Sequence, residues 1–212
     1  GKAGTEAFAG DYAAMIQAYI SLYEATFEAD FLLKAKDLMD YTLAHFFDEA
    51  TGLFFLTSNE SEQLIARSRE LSDNVIPAAN STLARGLLYL GQYFYETSYL
   101  DKSRQMLQNI APNLERGAAA TANWALLMTH MTYPFYEVAV MGPDAEAQRK
   151  ELSQTYLPNA LLMGGNEEGN LPLLQNKLLE GQTMIYVCVE KSCKLPVRTA
   201  KDALGQMRGN SE

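Results

Sequence analysis

The sequence has few of the residues that build metal sites. Its 212 residues include two cysteines and two histidines. A structural zinc ion needs four such ligands within reach of one another, and Cys188 and Cys193 lie far along the chain from His45 and His130. We therefore expect no metal site, and no motif indicates a cofactor. Gly164-Gly165-Asn166 lacks the spacing of a phosphate-binding loop and predicts a turn.

Positive charge and long apolar runs are also scarce. Lys and Arg number 17 against 26 Asp and Glu, which gives a net charge of −9. Nucleic-acid binding draws on clustered cations, and a membrane helix needs roughly 20 apolar residues. Neither partner is expected. The first residues, Gly1-Lys2-Ala3-Gly4, include no initiator Met and no signal sequence, so we expect a piece of a longer protein. The compartment is left open, with the cytoplasm favoured.

The helical pattern alternates between segments with few charges and segments with one charged face. A helix that is apolar all round must be covered all round, whereas a one-faced helix can lie at the surface. The first, third and fifth segments are therefore predicted to be inner helices, and the second and fourth outer ones. Burial is predicted for Tyr19, Leu87 and Leu127, and exposure for Lys36, Asp40 and Lys102. The predicted helices are 8–27, 30–47, 78–96, 99–110 and 118–131.

Two other patterns predict β-structure. Residues 53–57 follow the turn cluster 48–52 and are expected to pair with 64–69 as a hairpin. After Pro134, strands and helices alternate, which is typical of a small α/β unit with parallel pairing. These elements are predicted at 135–141, 144–155, 160–163, 184–188 and 199–207. The predicted domains are 1–133, helical with a β-hairpin insertion, and 134–212, a small α/β C-terminal subdomain.

Short segments in a fixed order resemble one large family. They are Asp11-Tyr12-Ala13, Leu22–Thr26, Phe47-Asp48 with Gly52–Phe55, Arg67 through Asp73 with Pro77 and Asn80-Ser81, Tyr156–Asn159, and Val187-Cys188 with Cys193 and Pro196-Val197. The chain resembles thioredoxin-domain proteins that carry an α/α-toroid, a family that includes spermatogenesis-associated thioredoxin-like proteins and bacterial homologues.

The resemblance implies a fold and a ligand. The fold would be mainly α: a partial α/α-toroid, similar to those of sugar 2-epimerases and six-hairpin glycosidases, followed by the α/β subdomain. The chain would be the C-terminal part of such a protein, and the thioredoxin module and the first toroid helices would be its partners. A carbohydrate-like small molecule is the expected ligand of the central cavity.

Eight residues are the candidate ligand-binding set. Asp11, Tyr12, Asn80, Ser81 and Trp124 lie near the starts of the predicted inner helices, where free backbone N–H groups favour hydroxyl-rich or anionic ligands. The same residue types are also ordinary helix caps or core residues.

The other three candidates, Arg69, Glu70 and Asp73, precede the third helix on the side of Asn80. They are expected either to hold the loop as an ion-pair network or to face the ligand. Paired carboxylates would suit acid–base chemistry on a glycosidic bond, but no spacing here fixes a pair. Epimerisation needs a base such as histidine, and both histidines are predicted to lie away from the cavity.

Cys188 and Cys193 are expected to lie close in space on either side of a turn. The sequence leaves open whether they form a disulfide or two reduced thiols. Such a pair could exchange with an upstream thioredoxin module.

Two functions remain after these observations. The first is a toroid segment that binds a carbohydrate-like ligand or a partner without catalysis of its own. The second is part of a carbohydrate-active enzyme, of sugar epimerase or glycosidase type, whose site is completed by upstream helices. Five helices are under half of a closed toroid, so the uncovered apolar face also predicts a two-fold homodimer.

Overall fold

The computed structural model describes residues 6–61, 66–114 and 117–208. Over these residues the chain is mainly helical, with two small sheets. The helices are α1 (Ala9–Thr26), α2 (Ala29–Phe46), α3 (Ala79–Phe94), α4 (Thr97–Leu114), α5 (Ala122–Thr132), α6 (Ala145–Leu152) and α7 (Ala200–Arg208). The strands are β1 (Phe47–Asp48), β2 (Leu53–Phe54), β3 (Tyr136–Met141), β4 (Ala160–Gly165), β5 (Met184–Val189) and β6 (Ser192–Cys193). None of the described helices is long and apolar enough to cross a bilayer.

The described residues fall into two compact units. Unit 1 contains those within 6–20 and 30–129, and unit 2 contains 21–29 and 130–208. The domain division at residues 133 and 134 stays a prediction, and so does the toroid topology.

Helix α3 is the buried centre of unit 1. Leu87 is fully buried, as predicted. A Cβ atom on Gly91 would lie 2.6 Å from the side chain of Leu100, so this glycine allows the close approach of α3 and α4. The Ser103 hydroxyl donates a hydrogen bond of 2.6 Å to the Ala84 carbonyl across the same interface. Helix α4 runs past Pro112, which lies in its last turn.

Three burial predictions need correction. Tyr19 is half-buried, and Met15 on the same helix is 46% exposed, because α1 buries only one side in the described chain. A lack of charge therefore did not mean burial on all sides. Lys36 and Lys102 are half-buried, since each ammonium group lies over an aromatic ring and also pairs with a carboxylate. Leu127 is buried and Asp40 exposed, as predicted.

The hairpin of unit 1 differs from the predicted one. Strand β2 pairs antiparallel with β1, so that Phe54 lies opposite Phe47. The turn between them uses Gly52 at a φ of +63°, a conformation that favours glycine. Residues 64 and 65 of the predicted partner 64–69 lie outside the described residues. Its described part forms no strand, although Ser68 accepts a hydrogen bond of 2.8 Å from the Leu56 N–H.

Unit 2 is built on a four-stranded sheet in the order β4-β3-β5-β6. Strands β3 and β4 are parallel and joined through α6, as predicted, whereas β5 runs antiparallel to β3. The connection from β4 to β5 contains only the short 3₁₀ turn Pro172–Leu174 in place of a crossover helix. Helices α6 and α7 pack on one face of the sheet, around Val138, Val140, Ile185 and Val187.

A tight hairpin joins β5 to β6. Its two turn residues, Glu190 and Lys191, have φ values of 49° and 66°, the left-handed pair typical of a two-residue type I′ turn. This turn places Cys188 directly opposite Cys193.

Candidate functional site

Asp73 fixes the segment that leads into α3. One carboxylate oxygen accepts hydrogen bonds from the Ala78 N–H at 2.9 Å and the Ser81 hydroxyl at 3.0 Å. The other accepts from the Asn123 N–H at 2.9 Å, at the start of α5. Burial opposes ionisation, but these hydrogen bonds outweigh it and hold the pKa of Asp73 below its ordinary value. A single carboxylate thus caps two helices.

Asn80 joins the hairpin to the same segment. Its side-chain oxygen accepts a hydrogen bond of 2.7 Å from the Phe54 N–H, and its nitrogen donates to the carbonyls of Phe54 and Glu70 at 2.9 and 3.0 Å. The residue is 1% exposed. These contacts make Asn80 a structural link rather than part of an open surface.

Trp124 holds the segment from the side of α5. It is fully buried, and its indole N–H donates a hydrogen bond of 2.8 Å to the Leu71 carbonyl. The hydroxyl of Ser81, also fully buried, lies 3.0 Å from both an Asp73 carboxylate oxygen and the Ala78 carbonyl oxygen, which share its single proton. Both side chains are thus held by contacts within the protein.

Arg69 belongs to an ion-pair network at the hairpin. Its guanidinium lies 2.5 Å from the carboxylate of Asp48 and stacks 4.1 Å from the centre of the Phe55 ring. The Thr51 hydroxyl and the Arg69 guanidinium donate to Asp48, and these bonds hold the pKa of Asp48 below its ordinary value. Arg67 lies 4.1 Å from the same ring and donates to the Thr57 carbonyl. The described contacts of Arg69 are those of an ion-pair network at the hairpin, and its role toward a ligand stays a prediction.

A cavity of about 570 Å³ lies in unit 1 between α1, α3 and the segment before α3. We call it the unit 1 cavity. Its polar lining consists of five side chains: Asp11, Gln17, Glu70, Thr82 and Arg85. Its apolar lining includes Phe8, Ala13, Ala14, Leu56, Ile76 and Pro77. The volume is in the range of ordinary small-molecule sites.

The polar side chains that line this cavity form hydrogen bonds with neighbouring groups of the protein. The Arg85 guanidinium donates to the Gln17 side-chain oxygen at 3.2 Å and to Asn123 at 3.5 Å. Asp11 accepts from the Phe8 N–H at 2.8 Å, and Glu70 from the Ala79 N–H at 3.0 Å. In the described chain, Gln17 Nε2 and Arg85 Nε are buried without a hydrogen-bond partner. Two side chains of the cavity lining therefore each carry a hydrogen-bond donor without a partner among the described residues.

The structure brings only part of the candidate set together. Asp11 and Glu70 line the unit 1 cavity. Tyr12 lines a different cavity, of about 320 Å³, and its ring lies 5.3 Å from those of Tyr41 and Phe46. Burial and a hydrogen bond with the Tyr41 side chain raise the pKa of Tyr12. The ligand-binding role of the eight residues stays a prediction.

Three polar residues of the cavity lining, Gln17, Thr82 and Arg85, were missed. Arg85 is the only charged residue of α3. A lone charge in a buried helix is costly unless it has a partner or a role, and this signal could have identified it.

The histidines lie elsewhere, in keeping with their predicted positions. His45 contacts the side chains of Asn59 and Glu60, and its ring lies 4.1 Å from that of Tyr41. His130 is 5% exposed and stacks on Phe135. Neither is among the residues that line the unit 1 cavity.

Cys188 and Cys193 form a disulfide, which decides between the two alternatives left open by the sequence. Their Cα atoms lie 3.9 Å apart across the hairpin. Cys188 is fully buried in the sheet, whereas Cys193 is exposed on the edge strand. Of the two cysteines, only Cys193 is thus open to solvent.

Comparison with known proteins gives relatives but no matching family model. The chain is similar to spermatogenesis-associated protein 20. It is 26% identical to the human protein and 25% identical to the rat protein over 202 residues, which is 90% of this chain. An uncharacterised protein of Caenorhabditis elegans is 24% identical over 210 residues, or 95% of this chain.

The chain spans only about a quarter of these relatives, 26% of the mammalian proteins and 28% of the nematode one. The similarities are consistent with the family that the sequence resembles.

Proposed function

We propose that unit 1 is a segment of an α/α-toroid that binds a carbohydrate-like ligand in the unit 1 cavity, without catalysis of its own. The observation that carries this proposal is the lining of that cavity. Two carboxylates, a guanidinium, an amide and a hydroxyl surround one space beside an apolar wall. Such a combination, few polar groups on an apolar surface, is typical of small-molecule sites.

The mixture of donors and acceptors favours a neutral, hydroxylated ligand. Sugar hydroxyls both donate and accept hydrogen bonds. Asp11 and Glu70 can accept from them, Gln17 and Arg85 can donate to them, and Thr82 can do both. The formal charge of the lining is −1, which disfavours a strongly anionic ligand. The apolar side chains can contact the C–H groups of a sugar ring.

Binding is favoured over catalysis by how the carboxylates are held. Asp11 and Glu70 each accept a backbone N–H at a helix start, which is the geometry of a cap. The residues that line the cavity also include no histidine that would act as a base near neutral pH.

A second candidate is part of a carbohydrate-active enzyme of epimerase or glycosidase type, completed by upstream helices. It is favoured by the presence of Asp11 and Glu70 in one cavity, because glycoside hydrolysis uses two carboxylates. Under either proposal, the thioredoxin and toroid portions of a longer protein are the partners that complete the site. Without them, we expect the exposed Phe8, Met15 and Leu33 to favour a homodimer.

Ligand-observed NMR with a panel of neutral mono- and disaccharides tests the proposal, with this chain and with the full-length protein. We expect at least one sugar to bind, and Arg85→Gln to weaken it at least tenfold. Arg104→Gln is the matched control, since Arg104 is exposed on α4. No binding by any sugar, or equal binding by both variants, would overturn it. Turnover of the bound sugar, lost in Asp11→Asn and Glu70→Gln, would establish the enzyme instead.

A further inference from the structure

A second group of reactive side chains lies in the sheet of unit 2. In the strand register, Glu137 on β3 lies opposite Cys188 on β5, and Cys188 lies opposite Cys193 on β6. Residues directly opposite one another in antiparallel strands project to the same face of a sheet. A carboxyl group and a disulfide therefore lie side by side in one row across three strands.

The carboxyl of Glu137 reaches toward the disulfide hairpin. One oxygen accepts a hydrogen bond of 3.1 Å from the Lys191 N–H, in the turn between the two cysteines. The side chain thus extends past Cys188 on the face that holds the disulfide. Its other oxygen is buried and has no hydrogen-bond partner among the described residues, and Glu137 is 1% exposed. A buried carboxyl oxygen without a hydrogen-bond partner lowers the stability of the folded protein, and such groups are rare unless they have a function.

We propose that this row is a thiol–disulfide exchange site for a dithiol reductant, in which Glu137 gives its proton to the sulfur of Cys188 as the disulfide opens. The unit 1 cavity plays no part in this reaction, so the inference is independent of the sugar-binding proposal.

The exposure of the two cysteines sets the order of the steps. A thiolate of the dithiol attacks Cys193, the exposed member of the pair. A bond forms between the reductant and Cys193, the Cys188–Cys193 bond breaks, and its electron pair leaves on Cys188. The Glu137 carboxyl transfers its proton to this buried sulfur and becomes a carboxylate, which later regains a proton from water.

The second thiolate of the reductant completes the exchange. It attacks the reductant's own sulfur in the mixed disulfide and releases Cys193 as a thiolate, which takes a proton from solvent. The protein disulfide has then gained two electrons, and the dithiol has been oxidised to a disulfide. Without the proton from Glu137, the first step would leave a bare thiolate at a fully buried position, which is unfavourable.

The surroundings of Glu137 suit a proton donor. Burial raises its pKa above the ordinary value, and the N–H and positive charge of Lys191 offset only part of that effect. The disulfide beside it is uncharged. Tyr186 on β5, two residues from Cys188, projects to the same face of the sheet as Glu137. Close to the start of β3, the ring of His130 stacks on Phe135 with ring centroids 4.7 Å apart.

The test is the rate of disulfide reduction by dithiothreitol as a function of pH, measured on the full chain by acid quenching and mass spectrometry. Rates are divided by the thiolate concentration of the reagent. We expect the wild-type rate to fall as pH rises through the ionisation of Glu137. Glu137→Gln keeps the shape and the acceptor for the Lys191 N–H, and should be at least tenfold slower at the acidic end with a flat profile.

Glu190→Gln is the matched control, because Glu190 is exposed on the same turn. It should follow the wild-type profile. Glu137→Asp retains a carboxyl and should restore part of the pH dependence, which a purely structural role would not do. The proposal is overturned if the Glu137→Gln profile equals the wild-type profile. If that variant does not fold, a flat wild-type profile overturns the proposal by itself, and a falling one supports it.

Discussion

The two units place carboxyl groups in opposite surroundings. Asp73 in unit 1 accepts hydrogen bonds from two backbone N–H groups and a hydroxyl, and its pKa is lowered. Glu137 in unit 2 is deeply buried with one N–H donor, and its pKa is raised. Burial opposes ionisation at both sites, and the number of hydrogen-bond donors thus decides whether the pKa is lowered or raised overall. We infer that Asp73 works as a fixed anion that holds helices, and Glu137 as a group that stores a proton.

Removal of the Asp73 carboxylate should give the largest effect. Asp73→Ala leaves the starts of α3 and α5 without their shared cap, and we expect unit 1 to lose about 2–3 kcal/mol of unfolding free energy. Urea denaturation followed by circular dichroism measures this. Asp101→Ala, on an exposed position of α4, is the control and should change stability by less than about 0.5 kcal/mol. Equal effects of the two substitutions would show that Asp73 is no cap.

Loss of the disulfide should destabilise unit 2 less than loss of Asp73 destabilises unit 1. The bond closes a short loop, with a sequence separation of five, and chain-entropy reasoning gives about 2 kcal/mol. Cys193→Ser should therefore lower the urea midpoint of unit 2 and leave that of unit 1 unchanged. A larger loss in unit 1 would contradict the division into two units.

Trp124→Phe should have a smaller effect on unit 1. The substitution keeps most of the buried ring but removes the donor to the Leu71 carbonyl. An unsatisfied buried carbonyl costs about 1 kcal/mol, so thermal unfolding should shift by a few degrees. A shift as large as that of Asp73→Ala would mean that ring packing, and not the hydrogen bond, dominates at this position.

The smallest effects are the pH dependences, and they should have opposite signs. Because the folded-state pKa of Asp73 lies below its ordinary value, its contribution to stability is present above about pH 3.8 and is lost as pH falls. The folded-state pKa of Glu137 is raised, so its contribution is present below about pH 4.5 and is lost as pH rises. The measurement is the unfolding free energy of the wild type and of both variants at pH values from below 3.8 to above 4.5. Asp73→Asn should remove only the loss of stability at falling pH, and Glu137→Gln only the loss at rising pH.

The helices were largely predictable because apolar spacing and turn residues mark them locally. Helix α1 was the exception: uncharged residues such as Met15 indicate what can be buried, but not which neighbours will cover it. Strand β2 pairs with β1 through the four-residue turn 49–52, in which Asp48 at the end of β1 and Gly52 at a positive φ favour this short connection over the longer pairing with 64–69.

The candidate site was only partly predictable, because non-local contacts decide it. Asn80 resembles a helix-start ligand residue in sequence, yet its side chain bonds to the backbone of Phe54, 26 residues earlier. Glu137, in contrast, resembles a surface residue in the sequence and is buried in the structure. A single acid in an apolar strand indicates an edge or a solvent-facing position, and only the register with Cys188 shows that it lies buried next to a disulfide.

The most direct test of the contrast between the units is a titration of the side-chain carboxyl carbons of Asp73 and Glu137 by ¹³C NMR. We predict that Asp73 titrates below 3.8 and Glu137 above 4.5, the ordinary values of the two groups. The two transitions should stay apart after Glu190→Gln. A Glu137 pKa at or below 4.5 would contradict the claim that this residue stores a proton. An Asp73 pKa above 3.8 would contradict the claim that this residue is a fixed anion.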